Sequence, residues 1–135
     1  MQSNDNIDII KSEQQHQKDI TKFHKGLASE TENIELDDKV ISKGVGRLFK
    51  DDKYGVYYSA VENNKPVGCV MNIHDYHHQL DKPTYWIQNV YVDPKARGKG
   101  VFKSLFDHTI QEAKKANANA VKLYVDKGNE QAKKV

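Results

Sequence analysis

One stretch of the sequence, residues 85–102, constrains the fold more than any other. It begins with aromatic and β-branched residues that predict a β-strand, and Asp93-Pro94 ends that strand. Gly98 and Gly100 then lead into an amphipathic helical pattern. A strand, a glycine-containing turn and a helix in this order are typical of an anion site, because the first N–H groups of a helix have no intrahelical acceptor.

The residues around the two glycines indicate which anion would fit. Glycine has no Cβ, so the backbone at Gly98 and Gly100 can adopt positive φ and approach a ligand closely. Arg97 and Lys99 add positive charge to the helix dipole, which favours a pyrophosphate. The turn alone is equally compatible with an ordinary connection that carries two solvated cations.

The sequence excludes two well-known phosphate-binding loops. The Walker string of Gly, four residues and Gly-Lys-Ser/Thr does not occur. A dinucleotide fingerprint would need a third glycine at the position of Lys103.

The string Arg97-Gly98-Lys99-Gly100-Val101 resembles the acyl-CoA loop of the GNAT N-acetyltransferase superfamily, whose signature is Gln/Arg-x-x-Gly-x-Gly/Ala. Phe102 departs from it, because the sixth position normally holds a small residue that lets the start of the helix lie close to the diphosphate. The resemblance covers essentially the whole chain and is closest to one bacterial-type subgroup that itself uses Gly-Val-Phe. It extends to the strings Glu30-Thr31-Glu32, Tyr85-Trp86-Ile87-Gln88-Asn89-Val90-Tyr91-Val92 and Leu123-Tyr124-Val125.

The resemblance implies a fold and an activity. The expected fold is a single α/β (α+β) domain over residues 1–135, with a mixed, mostly antiparallel sheet and a parallel splayed strand pair around an acyl-CoA cleft. The expected activity is transfer of acetyl from acetyl-CoA to an amine of a small molecule or peptide. A non-catalytic module that binds acetyl-CoA is the main alternative, and a nucleotide-binding α/β domain of another kind rests on the glycine loop alone.

The resemblance also implies a coenzyme site. The strand backbone at residues 90–92 would bond the pantetheine arm like an added strand, and the loop would hold the diphosphate. The coenzyme-binding residues implied in this way are Val90, Tyr91, Val92, Arg97, Gly98, Lys99, Gly100, Val101, Phe102 and Asn129.

The catalytic groups are not identified by the sequence. Family members often have a Glu where Gln88 stands, and an amide cannot accept the amine proton. Gln88 and Tyr91 are therefore weak catalytic candidates. A purely structural role for both residues, in packing and strand pairing, is an equal alternative.

The last residues follow a family pattern that the chain does not complete. The usual acid is a Tyr in Asn-x-x-Ala-x-x-x-Tyr, and the string from Asn129 to Val135 reproduces this pattern up to the residue before the Tyr. The resemblance therefore predicts a domain truncated before the end of its last helix and its two closing strands. An open sheet edge would favour self-association, such as a homodimer.

The N-terminal half predicts a strand and two helices. The strand covers residues 7–10, and the first helix covers residues 14–27, with Gly26 as a weakening or capping residue near its end. A polar loop at residues 30–33 follows, in which Glu30 and Glu32 either meet a cationic amine or are simply solvated. The second helix is weakened by Gly44 and Gly46. Its apolar face would consist of Leu36, Val40, Val45 and Leu48.

The remaining segments predict a hairpin, a helix and a final strand. Strands at residues 54–62 and 66–73 are joined by an Asn63-Asn64-Lys65 turn, and a histidine-containing loop leads to Pro83. A helix over residues 98–116 would pack one face on the sheet. The strand at residues 121–125 should run parallel to the strand at residues 85–92, because a strand–helix–strand unit forms a right-handed crossover.

Composition and charge limit the partners. The net charge of +2 and the dispersed Lys and Arg predict no nucleic-acid surface. A chain with neither a long apolar run nor a signal-peptide core is expected in the cytoplasm, away from membranes. Cys69 lies in an apolar strand pattern and is expected to be a buried thiol. His74, His77 and His78 have no metal-ligand spacing, so no metal site is predicted.

Overall fold

The computed structural model describes residues 7–51 and 53–123, which form a five-stranded sheet and three α-helices. The strands are β1 (Ile7–Lys11), β2 (Gly55–Glu62), β3 (Lys65–His77), β4 (Lys82–Val92) and β5 (Ala120–Leu123). The helices are α1 (Gln17–Glu32), α2 (Asp38–Lys50) and α3 (Val101–Lys115), with short 3-10 turns at Gln14–His16 and Pro94–Ala96.

The sheet follows the order of the chain, β1-β2-β3-β4-β5. The first three pairings are antiparallel, and β4 pairs with β5 in parallel from Thr84↔Ala120 to Ile87↔Leu123. Helix α3 connects this parallel pair, as a crossover requires. The mixed, mostly antiparallel sheet and its parallel last pair are therefore confirmed.

The two faces of the sheet carry separate hydrophobic cores. On one face α3 buries Val101 and Leu105 against the sheet, where Ile87 is fully buried. On the other face α1 and α2 bury Ile20 and Val45. Cys69 belongs to this second core, and burial raises the pKa of its thiol to about 12, so the predicted buried thiol is confirmed.

The end of α1 differs from the prediction. Residues 30–33 were expected to form a loop, but the helix continues to Glu32 and ends at Asn33, whose φ of 55° is left-handed. Within this last turn the Thr31 hydroxyl donates to the Leu27 carbonyl at 2.7 Å. Polar composition predicted a loop wrongly here, because the turn gains contacts to distant residues that are described below.

The apolar face of α2 also differs from the prediction. Asp37 caps the helix by accepting the N–H groups of Lys39 and Val40 at 2.9 and 3.0 Å, and this fixes where the helix begins. Leu36 therefore precedes the helix, and Val40 is 70% exposed. The face that packs on the sheet consists of Ile41, Val45, Leu48 and Phe49.

The β3–β4 hairpin is longer than predicted. Residues 74–83 were expected to form a loop, yet β3 runs to His77 and β4 begins at Lys82. Cross-strand packing accounts for the extension, since the rings of His74 and Tyr85 stack with centroids 4.5 Å apart. The predicted Asn63-Asn64 turn between β2 and β3 is confirmed, with both residues at positive φ.

Candidate active site

Strand β4 leaves regular pairing near its C-terminal end. Met71 of β3 lies opposite Gln88 and Cys69 lies opposite Tyr91, so β4 contains one extra residue, a β-bulge. Asn89 within this bulge has a φ of 51°, a conformation that Asn tolerates better than most residues. On the other edge of β4, the pairing with the described part of β5 ends at Ile87↔Leu123. Residues 89–92 therefore lie beyond the described pairing of β4 with β5.

The turn after β4 is built from one cap and two glycines. Asp93 accepts the Lys95 N–H at 2.9 Å and starts the 3-10 turn. Gly98 and Gly100 have φ of 81° and 79°, which confirms the predicted positive φ. A Cβ at either position would meet no atom within 4 Å, so both glycines face open space.

Helix α3 starts directly after this turn. Its first intrahelical bond runs from the Ser104 N–H to the Gly100 carbonyl at 3.0 Å. The N–H groups of residues 101–103 therefore have no acceptor within the helix. The positive end of the helix dipole lies at the same place. The turn is thus able to bind an anion through backbone groups.

A groove of about 390 Å³ joins the bulge to the turn. Residues 89–92 and Leu123 line it from the strands, and the last turns of α1 form its wall. Of the residues predicted to bind coenzyme, it includes Val90, Tyr91, Val92, Arg97, Gly98, Gly100, Val101 and Phe102. Lys99 is not among the lining residues, and Asn129 lies outside the described residues.

Glu30 joins this groove through contacts that the sequence did not reveal. Its carboxylate accepts a 2.8 Å hydrogen bond from Nη2 of Arg97 and a short one from the Tyr91 hydroxyl. Arg97 also donates from Nε to the Val92 carbonyl at 2.9 Å, and its guanidinium lies 5.3 Å from the Tyr91 ring centroid. Arg97 therefore folds back onto β4, and Glu30 ties α1 to both β4 and the loop.

These contacts set the charges in the groove. The hydrogen bond from Tyr91, and then that from Arg97, lowers the pKa of Glu30. Burial, and then the hydrogen bond to Glu30, raises the pKa of Tyr91 to about 12. At neutral pH Glu30 is therefore ionised and Tyr91 is protonated, so Tyr91 can donate a hydrogen bond but cannot serve as a base.

Helix α1 lies unusually close to β4. A Cβ at Gly26 would stand 2.7 Å from the Tyr91 hydroxyl oxygen, so only glycine fits between helix and ring. Gly26 lies inside the helix rather than near its end. On the preceding residues of the same helix, Nε2 of His24 and the hydroxyl of Tyr57 in β2 lie 2.7 Å apart. Burial lowers the pKa of His24 to about 4, so this histidine is neutral at physiological pH.

The other predicted candidates lie outside this groove. Gln88 is paired with Met71 across the sheet and is not among the residues that line the groove. His77 ends β3 and His78 follows in the hairpin turn. Among residues 7–51 and 53–123, no three or more His, Cys, Asp or Glu side chains are grouped to hold a metal ion. No helix in the same ranges is long and apolar enough to cross a membrane.

The family follows from sequence and fold together. Residues 17–135 match the model of the Acetyltransferase (GNAT) family. The chain belongs to this family. A possible acetyltransferase from Clostridium difficile 630 shares 35% identity and a TM-score of 0.90, with 96% of this chain and 86% of that chain covered. No curated protein matches the sequence.

More distant GNAT structures share the fold. A predicted acetyltransferase with acetyl-CoA from Clostridium acetobutylicum is 20% identical, with a TM-score of 0.76 over 95% of this chain and 87% of that chain. A ribosomal-protein-alanine N-acetyltransferase from Brucella melitensis biovar Abortus 2308 is also 20% identical, with a TM-score of 0.76 over 95% and 86%. Family membership and fold support acetyl transfer as the general activity of this GNAT chain.

Proposed function

We propose that this GNAT protein is an N-acetyltransferase that moves acetyl from acetyl-CoA to the amine of a small molecule or peptide. The observation that carries the proposal is one groove that contains both the bulged edge of β4 and the glycine turn before α3. A coenzyme with a diphosphate at one end and an amide-containing arm at the other matches that pair of features.

The diphosphate would bind through the backbone. Residues 101–103 offer three amides at the positive end of α3, and the glycines leave open space beside them. Arg97 is already bonded to Glu30 and Val92, so its main contribution is to hold the loop in place. Lys99 adds a further positive charge to the same turn.

The pantetheine arm would bind along β4. Its amides can pair with the N–H and C=O groups of residues 89–92, as an added strand would. When bound, acetyl-CoA supplies the acetyl group as a thioester, and a backbone N–H at the bulge can stabilise negative charge that develops on its oxygen. The bulge therefore sets where the reactive end of the arm lies.

The acceptor amine must lose a proton to react. Gln88 has no basic group, Tyr91 is protonated, and Glu30 already accepts two hydrogen bonds. We therefore propose that water carries the proton away from the amine. As the C–N bond forms and the C–S bond breaks, the leaving thiolate takes up a proton from solvent.

The decisive experiment measures release of CoA thiol from acetyl-CoA with panels of amines. We expect release above the rate of hydrolysis with at least one class of amine. Calorimetry with acetyl-CoA provides the second measurement. Micromolar binding without turnover on any amine would favour a non-catalytic acetyl-CoA module, and no binding at all would contradict both functions.

A further inference from the structure

A second, wider groove lies on the other side of α1. It has a volume of about 1980 Å³, runs between α1 and α2, and is bordered by residues 33–36 and 93–95. Eight Lys and Arg side chains line it against three Asp and Glu. The whole chain, in contrast, carries 21 cationic and 19 acidic side chains. The fold therefore concentrates positive charge that is dispersed along the sequence.

The cations form two stripes on facing helices. Successive members lie three or four residues apart, so each stripe follows one face of its helix. Lys18, Lys22 and Lys25 form the stripe on α1, and Lys39, Lys43 and Arg47 form the stripe on α2.

Two stripes of like charge along one groove create a positive potential that attracts anionic groups. The three acids of the groove offset this only in part. Asp38 pairs with Lys25, and Asp38 and then Glu35 raise the pKa of that lysine, while Asp93 caps the 3-10 turn. The other cations of the two stripes are not among these acids' partners. Near the start of α1, Gln17 donates to the Ser42 carbonyl at 2.8 Å and holds the helices together there. The rest of the groove is open to a ligand.

We infer that this groove docks a polypeptide with acidic side chains, which carries the acceptor amine to the coenzyme groove. The stripes extend about 10 Å along each helix, more than a single small anion covers. An extended segment of about four residues spans that length, at roughly 3.3 Å per residue. Carboxylates on such a segment can contact both stripes at once.

The lining argues against a nucleic acid as the ligand. Phe23 and Tyr91 supply the aromatic rings among the described lining residues, and both are buried in the floor. Single-stranded nucleic acids bind through exposed rings on which bases stack. The cations are mostly lysines rather than arginines, whose planar fork is the preferred group for nucleic-acid recognition.

The inference rests on the proposed acetyl transfer and narrows its acceptor class. Tyr91 lies in the floor of both grooves, so a chain bound in the wider groove between α1 and α2 passes next to β4. Glu30, in contrast, is bonded to Arg97 and Tyr91 and does not present a free carboxylate to a cationic amine. Positive charge is what this face of the molecule offers to an acceptor.

The test compares two peptides of equal length that share a free N-terminal amine. One carries Glu at the next four positions and the other carries Gln. The variant Lys22→Gln/Lys43→Gln removes one cation from each stripe, and Lys65→Gln/Lys114→Gln removes the same charge from the start of β3 and from α3. We expect the groove variant to raise KM for the Glu peptide about fivefold, from two ion pairs of roughly 0.5 kcal/mol each, and the matched control to leave it unchanged.

Direct binding separates this inference from the proposed function. Fluorescence anisotropy of the labelled Glu peptide, without coenzyme, should show the same roughly fivefold loss in the groove variant, while acetyl-CoA affinity stays as in the wild type. Equal use of the Glu and Gln peptides would overturn the inference. Tighter binding of a single-stranded RNA than of the Glu peptide would also overturn it. Glu-peptide binding that is lost in the groove variant, with no thiol release from any amine, would instead overturn acetyl transfer and keep the docking surface.

Discussion

The two grooves on either side of α1 are built from different parts of the chain. The coenzyme groove presents backbone: a bulged strand edge, two glycines at positive φ and the first amides of α3. The lysine groove, defined by the stripes on α1 and α2, presents charged side chains. Backbone recognition depends on a few conformations and tolerates side-chain changes, whereas side-chain recognition should weaken step by step as charges are removed. Both depend on the placement of α1.

The largest expected effect is on the free energy of unfolding, and it comes from the buried His24 of α1. Because burial lowers the pKa of His24 from 6.5 to about 4, the unfolded chain binds a proton at a higher pH than the folded chain. The stability from neutral His24 is present above pH 6.5 and is lost as the pH falls toward 4. The loss should reach roughly 3 kcal/mol, at 1.36 kcal/mol per pKa unit.

Denaturant unfolding between pH 7 and 4 measures this effect. His24→Gln should remove most of the pH dependence in this range, while the matched change at the exposed His78 should leave it intact. An unchanged pH dependence in His24→Gln would show that the helix placement does not rest on this histidine.

The next effect tests whether the coenzyme groove is a backbone site. Gly100→Val forces a β-branched residue to a φ of 79° and points a side chain into open space next to the amides. We expect at least about a tenfold loss of acetyl-CoA affinity by calorimetry, or 1.4 kcal/mol. Gly44→Val is the control, since a Cβ there also meets no atom within 4 Å and φ is not positive. Equal affinity in both variants would place the diphosphate elsewhere.

A smaller effect is expected from the tie between α1 and the loop. Glu30→Gln removes the charge that holds Arg97 against Val92, so the wall of the coenzyme groove should loosen. We expect KM for acetyl-CoA to rise about fivefold, with kcat changed less, since charge-assisted hydrogen bonds contribute more than neutral ones.

Glu32→Gln is the matched control, because Glu32 lines the same groove in the same helical turn. A double-mutant cycle with Arg97→Gln should be non-additive if the two side chains act together. Additive increases in KM would show that Glu30 and Arg97 do not act together.

The smallest effect should come from removing a cation of the loop. Lys99→Ala leaves the three amides and the helix dipole in place, so acetyl-CoA affinity should fall less than about threefold, the size of an exposed charge contact. A loss of acetyl-CoA affinity larger than that in Gly100→Val would show that the coenzyme groove binds through side chains rather than through backbone amides.

The sequence predicted the coenzyme groove better than it predicted the lysine groove. Gly98 and Gly100 adopt positive φ as expected, and β4 ends at Asp93-Pro94 as expected, because both features are set within a few residues. The bulge carried only a weak signal, the Asn at position 89. The lysine stripes could have been found from their helical spacing, but only the antiparallel pairing of α1 with α2 makes them face each other.

What the sequence determined by itself is the family, the sheet with its parallel last pair, and the conformation of the glycine turn. These depend on hydrophobic periodicity, on Gly and Pro residues that end elements, and on local backbone preference, all of which act over short distances. The tertiary structure alone decided that Glu30 stays helical and meets Arg97, 67 residues away, and that Gly26 admits the Tyr91 ring beneath α1. Such contacts form between distant segments, and their energies can outweigh the local preference of a polar turn to leave the helix.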